Sequence, residues 1–124
     1  MLEAKSAPKP GEGIWLWLIK MVSGVLIVVL LLVHFIVNHF AAQGGLLGYA
    51  DVIAYYTNPG IVVMEITFLA VVVVHALIGL RGIILDLNLS QKMMGIIDRL
   101  LVLAGIGAVV YGIALALVIA SRST

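Results

Sequence analysis

Three long apolar stretches, divided by short polar ones, organise the chain. The first runs from about Trp17 to Ala42, the second from about Gly60 to Leu85, and the third from about Ile96 to Ala120. Each exceeds the roughly 18 apolar residues that mark a spanning helix. A polar tail, residues 1–16, precedes them and carries Pro8, Pro10, Gly11 and Gly13. Trp15 and Trp17 lie where an interfacial aromatic anchor belongs. Gln43, Gly44 and Gly45 close the first span. Residues 46–59 form a loop or short interfacial helix, with Tyr49, Tyr55 and Tyr56 suited to headgroup depth. Asp86, Asn88, Ser90, Gln91 and Lys92 connect spans two and three. The third span holds Gly105, Gly107, Ala108, Gly112, Ala114 and Ala116, small residues that permit close helix contact in lipid. The pattern predicts an all-α integral membrane protein, with residues 17–124 forming a three-helix transmembrane domain.

Composition agrees. Of 124 residues, 64% are hydrophobic and 10% charged, more apolar surface than a small soluble globule can hide. The net charge of +1 leaves no nucleic-acid footprint. The absence of Cys excludes disulfides and thiolate-held clusters. The sequence shows no P-loop, GxSxG, HExxH or CxxC, and no internal repeat. The tail carries both charge signs and the apolar run after it is too long for the core of a cleaved signal peptide.

Charge orients the spans. Lys5, Lys9 and Lys20 precede or open span one, and Arg81, Lys92 and Arg99 flank the second connector. The loop between spans one and two has no Lys or Arg, and the C-terminal tail has only Arg122. Basic residues gather on the cytoplasmic side of a membrane. The N-terminus is therefore expected in the cytoplasm and the C-terminus outside, in an inner (cytoplasmic) membrane.

Ionisable groups inside spans are costly and mark candidate sites. They are His34, His39, Glu65 and His75. A single buried histidine is more often a hydrogen-bonded structural residue, but two deep in a bundle make axial haem ligation a rival, because neutral imidazole binds iron. His34 lies about 21 Å beyond Lys20, and His75 about 9 Å before Arg81, at 1.5 Å per residue. The two differ in depth by about 12 Å. Axial ligands of one iron sit about 4 Å apart, given metal–nitrogen distances near 2 Å. If both ligate, they serve two haems, and each haem needs a second ligand from a partner subunit. His39 and Glu65 fall near the outer surface, as solvated interfacial residues or as a proton or propionate contact.

The segment from His75 through Gly79 and Arg81 to Asp86 resembles the H-x-x-x-G…D-Y segment of succinate dehydrogenase membrane anchors, most of all the smaller, D-type anchor. Met21-Val-Ser23-Gly24, followed by His34, is similar to the R-x-S-G…H pattern of two-haem anchors. Two positions depart: Leu87 stands where the family has Tyr, and Met21 where it has Arg. The resemblance implies His75 as a haem b axial ligand and His34 as ligand of a second, outer haem. It implies Gly79 as room for haem or a helix, and Arg81 as a propionate partner. It also places Lys20, Ser23 and Asp86 near a quinone site. The implied partners are a second membrane-anchor subunit completing a heterodimeric bundle, an iron–sulfur subunit and a flavoprotein subunit. The chain itself would not oxidise succinate, having neither a dinucleotide fingerprint nor Cys. Two alternatives are a bis-His cytochrome b subunit of another membrane oxidoreductase and a cofactor-free accessory membrane subunit.

The charge bias generates a test of topology. An impermeant label should reach the segment from Tyr49 to Tyr56 only from the outer face of the membrane. Labelling from the cytoplasmic face would invert the orientation.

Overall fold

The computed structural model describes residues 9–42, 44 and 46–123. Lys5 and Pro8 of the tail, and Gln43 and Gly45 after the first span, lie outside the described residues. The described chain is helical: α1 (Ile14–Ala41), α2 (Tyr49–Tyr55), α3 (Pro59–Leu85) and α4 (Gln91–Arg122). Helices α1, α3 and α4 are each long and apolar enough to cross a membrane. Their 28, 27 and 32 residues exceed the roughly 20 that a bilayer core requires.

Helix α1 begins at Ile14, three apolar residues before the run expected of it, on a Gly13 N-cap without a side-chain hydrogen bond, whereas the starts of α3 and α4 follow capping chemistry. Ser90 accepts the Met93 N–H on its hydroxyl at 3.2 Å, which draws polar Gln91 and Lys92 into the first turn of α4. Asn58 accepts the Gly60 N–H at 2.9 Å, and Pro59 takes the first helical position of α3, where no amide donor is missed. Beyond α3, Asn88 turns the chain at φ 51°, a left-handed conformation that asparagine tolerates. The short α2 opens with the Asp51 carboxylate accepting the Gly48 N–H at 2.9 Å.

Helix α3 lies between α1 and α4, and its principal packing is against these two. Both neighbours run antiparallel to it. Ser23 meets His75 and His34 meets Glu65, so numbers rise along α1 as they fall along α3. Arg81 meets Asp98, while Leu77 and Leu69 lie against Gly105 and Gly112, which sets the same relation between α3 and α4. Among the described residues, only Glu12, Ser23, Gly82 and Ala116 are buried. The large apolar side chains of α1 and α4 face outward. Such a layer has no enclosed core and suits a lipid environment, where apolar side chains need no shelter from water.

The small residues of α4 divide into two sets. A Cβ at Gly112 would stand 2.1 Å from Leu69 Cδ2 and 3.3 Å from its Cγ, and a Cβ at Gly105 would stand 2.6 Å from Leu77 Cδ1. Ala116 is buried on the same face. Gly107, by contrast, has nothing within 4 Å of its Cβ position, and Ala108 and Ala114 are exposed. Gly112→Val should therefore lower stability in detergent by about 1–3 kcal/mol through overpacking, beyond any loss seen in Gly107→Val, which pays the same propensity difference without the clash. Thermal unfolding of the two variants side by side checks this.

Candidate functional site

The half of the α1/α3 cleft nearer the start of α1 centres on His75. Its Nδ1 lies 2.9 Å from Ser23 Oγ, and the Ser23 hydroxyl donates to the Lys20 carbonyl at 3.1 Å. A hydroxyl has one proton. With that proton on the carbonyl, Ser23 accepts from His75, so the imidazole carries its hydrogen on Nδ1. The Nε2 lone pair is then free, and no hydrogen bond to Nε2 occurs among the described residues. This is the tautomer and the kind of support that metal-bound histidines have. Ser23 is buried at 6% exposure, and Gly24 leaves room for the ring: a Cβ there would stand 3.2 Å from His75 Cε1. One turn further along α3, Gly79 has nothing within 4 Å of its Cβ position. An open groove of about 430 Å³ runs along this half of the cleft between Trp15, Leu18, Val22, Leu26, Val71 and Val74, with Ser23 as the lone hydroxyl residue of its lining.

The tail closes the end of the cleft at the start of α1. Lys9 Nζ donates to Asp86 Oδ2 at 2.7 Å and to the Gly82 carbonyl at 3.4 Å. Glu12 forms an ion pair with Lys20 and is 7% exposed. The hydrogen bond from Lys20 holds the Glu12 carboxyl below the usual carboxylate range against the opposing effect of burial, with help from the Lys9 amide and charge. Beside this cleft, Arg81 Nε donates to Asp98 Oδ1 at 2.7 Å and Nη2 to Oδ2 at 3.3 Å. That bidentate pair joins α3 to α4.

The other half holds a second cluster. Asn38 Nδ2 lies 2.8 Å from His34 Nε2. With the amide donating, Nε2 accepts, and the ring proton sits on Nδ1, 3.1 Å from Glu65 Oε1. That second contact has ion-pair distance without hydrogen-bond alignment. Tyr55, on α2, donates to the same Glu65 oxygen at 3.0 Å. Burial first, and the Glu65 carboxylate second, push the Tyr55 phenol up. Phe68 lies beside the His34 ring, at 5.2 Å between centroids. His39 points elsewhere, stacked on Phe35 at 6.3 Å and exposed.

The profile described as succinate dehydrogenase/fumarate reductase transmembrane subunit matches residues 3–121. The chain belongs to this family. It is 34% identical over 113 residues to a succinate dehydrogenase hydrophobic membrane anchor subunit of Archaeoglobus fulgidus, covering 91% of this chain and 95% of the relative. No solved structure matches. The chain is thus an integral membrane anchor subunit of the succinate dehydrogenase/fumarate reductase family, non-catalytic by itself. Membership sets aside a cytochrome b subunit of an unrelated oxidoreductase.

Within this anchor, the residues singled out from sequence separate. His75 and Ser23 meet in the cleft, and Gly79 faces open space. His34 does not offer a free nitrogen: Asn38 occupies Nε2 and Glu65 faces Nδ1. The α1/α3 register also sets His75 level with Ser23, eleven positions from His34, so their depths differ by about 16 Å rather than about 12 Å. Arg81, expected at a propionate, is held by Asp98. Lys20 and Asp86, expected at quinone, are paired with Glu12 and Lys9. Glu65 is no solvated surface group, since it receives contacts from both His34 and Tyr55. Sequence inspection passed over Glu12, Asn38 and Asp98. Asp98 carried a usable signal, an acid at the edge of an apolar span that needs a cation on a facing helix.

The Glu12 ion pair has a definite pH dependence. Its carboxyl is depressed on folding, so the pair's stabilisation is complete above the ordinary carboxylate pKa and is lost as pH falls through the lowered folded value. Amide protection factors at Lys9 and Glu12, taken against the intrinsic exchange rate at each pH, should stay high at neutral pH and fall in that acidic window. In Glu12→Gln the fall should vanish, with protection low throughout.

Proposed function

We propose that this anchor binds haem b through His75 and forms one wall of a quinone site near the cytoplasmic surface. The carrying observation is the Ser23–His75 hydrogen bond, which sets the imidazole proton on Nδ1 and leaves Nε2 as a lone pair. Haem b, when bound, supplies a one-electron carrier beside the quinone. The chain's own residues do the rest. Ser23 orients His75 and sets its tautomer, Gly24 admits the ring, and the apolar groove alongside has the size and character of a site for a hydrophobic ring. Lys20 is the donor nearest this level, since the Ser23 proton is held by the Lys20 carbonyl, and Lys9 with Asp86 shields it from the cytoplasm.

The similarity to the Archaeoglobus fulgidus hydrophobic membrane anchor subunit of succinate dehydrogenase supports the assembly. A second anchor subunit would supply the other axial ligand, because this chain has no third histidine at the level of His75. A flavoprotein and an iron–sulfur subunit would dock on the cytoplasmic face. Quinone would take two electrons from the iron–sulfur subunit and two protons from the cytoplasm to become quinol. The basic bias supports the cytoplasmic N-terminus in the inner membrane.

Sequence resemblance implied a second, outer haem on His34. The Asn38 and Glu65 contacts weigh against it, and one haem associated with this chain is the better-supported number. In the assembled complex, His75→Ala should abolish a b-type signal in the reduced-minus-oxidised spectrum, while His34→Ala should leave haem content unchanged. Succinate oxidation by an artificial dye would verify that the peripheral subunits remain attached. Undiminished haem in His75→Ala would reject the ligand assignment, and loss of a distinct haem in His34→Ala would restore the two-haem arrangement.

A further inference from the structure

Glu12 occupies an unusual place for a tail residue. It precedes the first helix, yet is almost completely buried. The turn that carries it is preset: the Glu12 N–H donates to the Lys9 carbonyl at 2.9 Å, and the Lys9 N–H donates to Glu12 Oε2 at 3.2 Å. The other carboxylate oxygen faces Lys20 of α1. The same turn is fastened to α3 through Lys9, which holds Asp86 and the Gly82 carbonyl. Gly11, at φ 82°, lets the backbone lie against Leu85, whose Cδ2 would be 3.5 Å from a Cβ at that position. Residues 9–13 therefore form a strap from α1 to α3 across the end of their cleft.

Lys20 is the residue this strap most constrains. Its ammonium stands over Gly82, 3.9 Å from where a Cβ would be, and its side chain is only 19% exposed. A lysine near a span end ordinarily stretches its stem towards the headgroups. Here the stem runs the same way, towards the start of α1, and the buried Glu12 carboxylate fixes the ammonium over Gly82 at the mouth of the cleft. An ammonium has three N–H donors, and Glu12 receives the one hydrogen bond that Lys20 Nζ makes among the described residues. Two remain for another acceptor.

We infer that Glu12 is a positioning residue, holding the Lys20 ammonium in the α1/α3 cleft so that it donates to a carbonyl oxygen of bound quinone. This rests on the quinone site proposed above and adds to it a residue and a strap outside the membrane spans. The strap also accounts for the burial of Glu12, which no helix packing requires.

The test uses the assembled complex, with a short-chain quinone as acceptor and a dye that takes electrons upstream of quinone as control. Glu12→Gln should raise the quinone KM about tenfold, the size of one lost charge-assisted hydrogen bond, with a smaller change in kcat. Dye reduction and haem content should hold. Glu12→Asp, a shorter carboxylate, should give an intermediate KM. The exchange Glu12→Lys with Lys20→Glu should restore slow amide exchange of the strap but not the quinone KM, because the ammonium has moved to the tail. Restoration of KM by the exchange would overturn the inference, leaving a purely structural pair. An unchanged KM in Glu12→Gln, with a raised KM in Lys20→Met, would overturn it while the quinone site stands. An unchanged KM in Lys20→Met would remove Lys20 from the quinone site itself, and this inference with it.

Discussion

Two polar contacts between α1 and α3 hold the rest of the structure in relation. Ser23 meets His75 at 2.9 Å in the half nearer the start of α1, and His34 meets Glu65 at 3.1 Å in the other half. In lipid there is no water to satisfy a stray donor or acceptor, so polar groups on one helix must face polar groups on the next. A shift of either helix by one residue would separate both pairs together. The register they set brings Gly82 within reach of the Lys20 ammonium and places the tail where it can bridge the helix ends. It also brings Gly24 against the His75 ring. Apolar packing between α1 and α3 could slide. These contacts cannot slide without leaving charge and hydrogen-bonding capacity unpaired.

The α3/α4 contact is built differently. Its axial register depends on Gly105 and Gly112 receiving Leu77 and Leu69, and one bidentate pair, Arg81–Asp98, closes the end nearer the α3–α4 connector. Close backbone approach and dispersion do here what hydrogen bonds do on the other face of α3. This division leaves the α1 side of α3 for the histidines and the α4 side for support. It also explains why Arg81, in a segment otherwise resembling a haem-binding one, is turned away to an acid on α4.

The two histidines show how the same side chain acquires opposite chemistry from its second nitrogen. A serine whose proton is already engaged makes His75 a donor at Nδ1 and leaves Nε2 unshared. An asparagine amide beside His34 engages Nε2 and turns the remaining N–H towards a carboxylate. Neutral imidazole has only one lone pair on nitrogen to offer, so the neighbour that claims it decides between a ligand and a strut. Tyr55 extends the His34–Glu65 cluster to α2, tying the loop between the spans to Glu65, whereas an open apolar groove runs beside Ser23.

The sequence by itself determined the three spanning helices, the break after span one and the polar connector, because apolar run length and turn residues act locally. It also singled out His75 and Ser23, since a motif spans a few turns of one helix. The charge asymmetry was equally legible in composition. What tertiary structure decided is that His75 keeps a free nitrogen while His34 does not, and which glycines of α4 are contacts: Gly105 and Gly112, not Gly107. It also decided that Lys20, Asp86 and Arg81 are already paired. Those outcomes depend on antiparallel register between helices about 50 residues apart in sequence for α1 and α3, and on a tail turn whose composition gives no periodic signal. Spacing along one helix specifies a face and a depth. The partner standing opposite is set by how two helices pack, and that relation is absent from either stretch read alone.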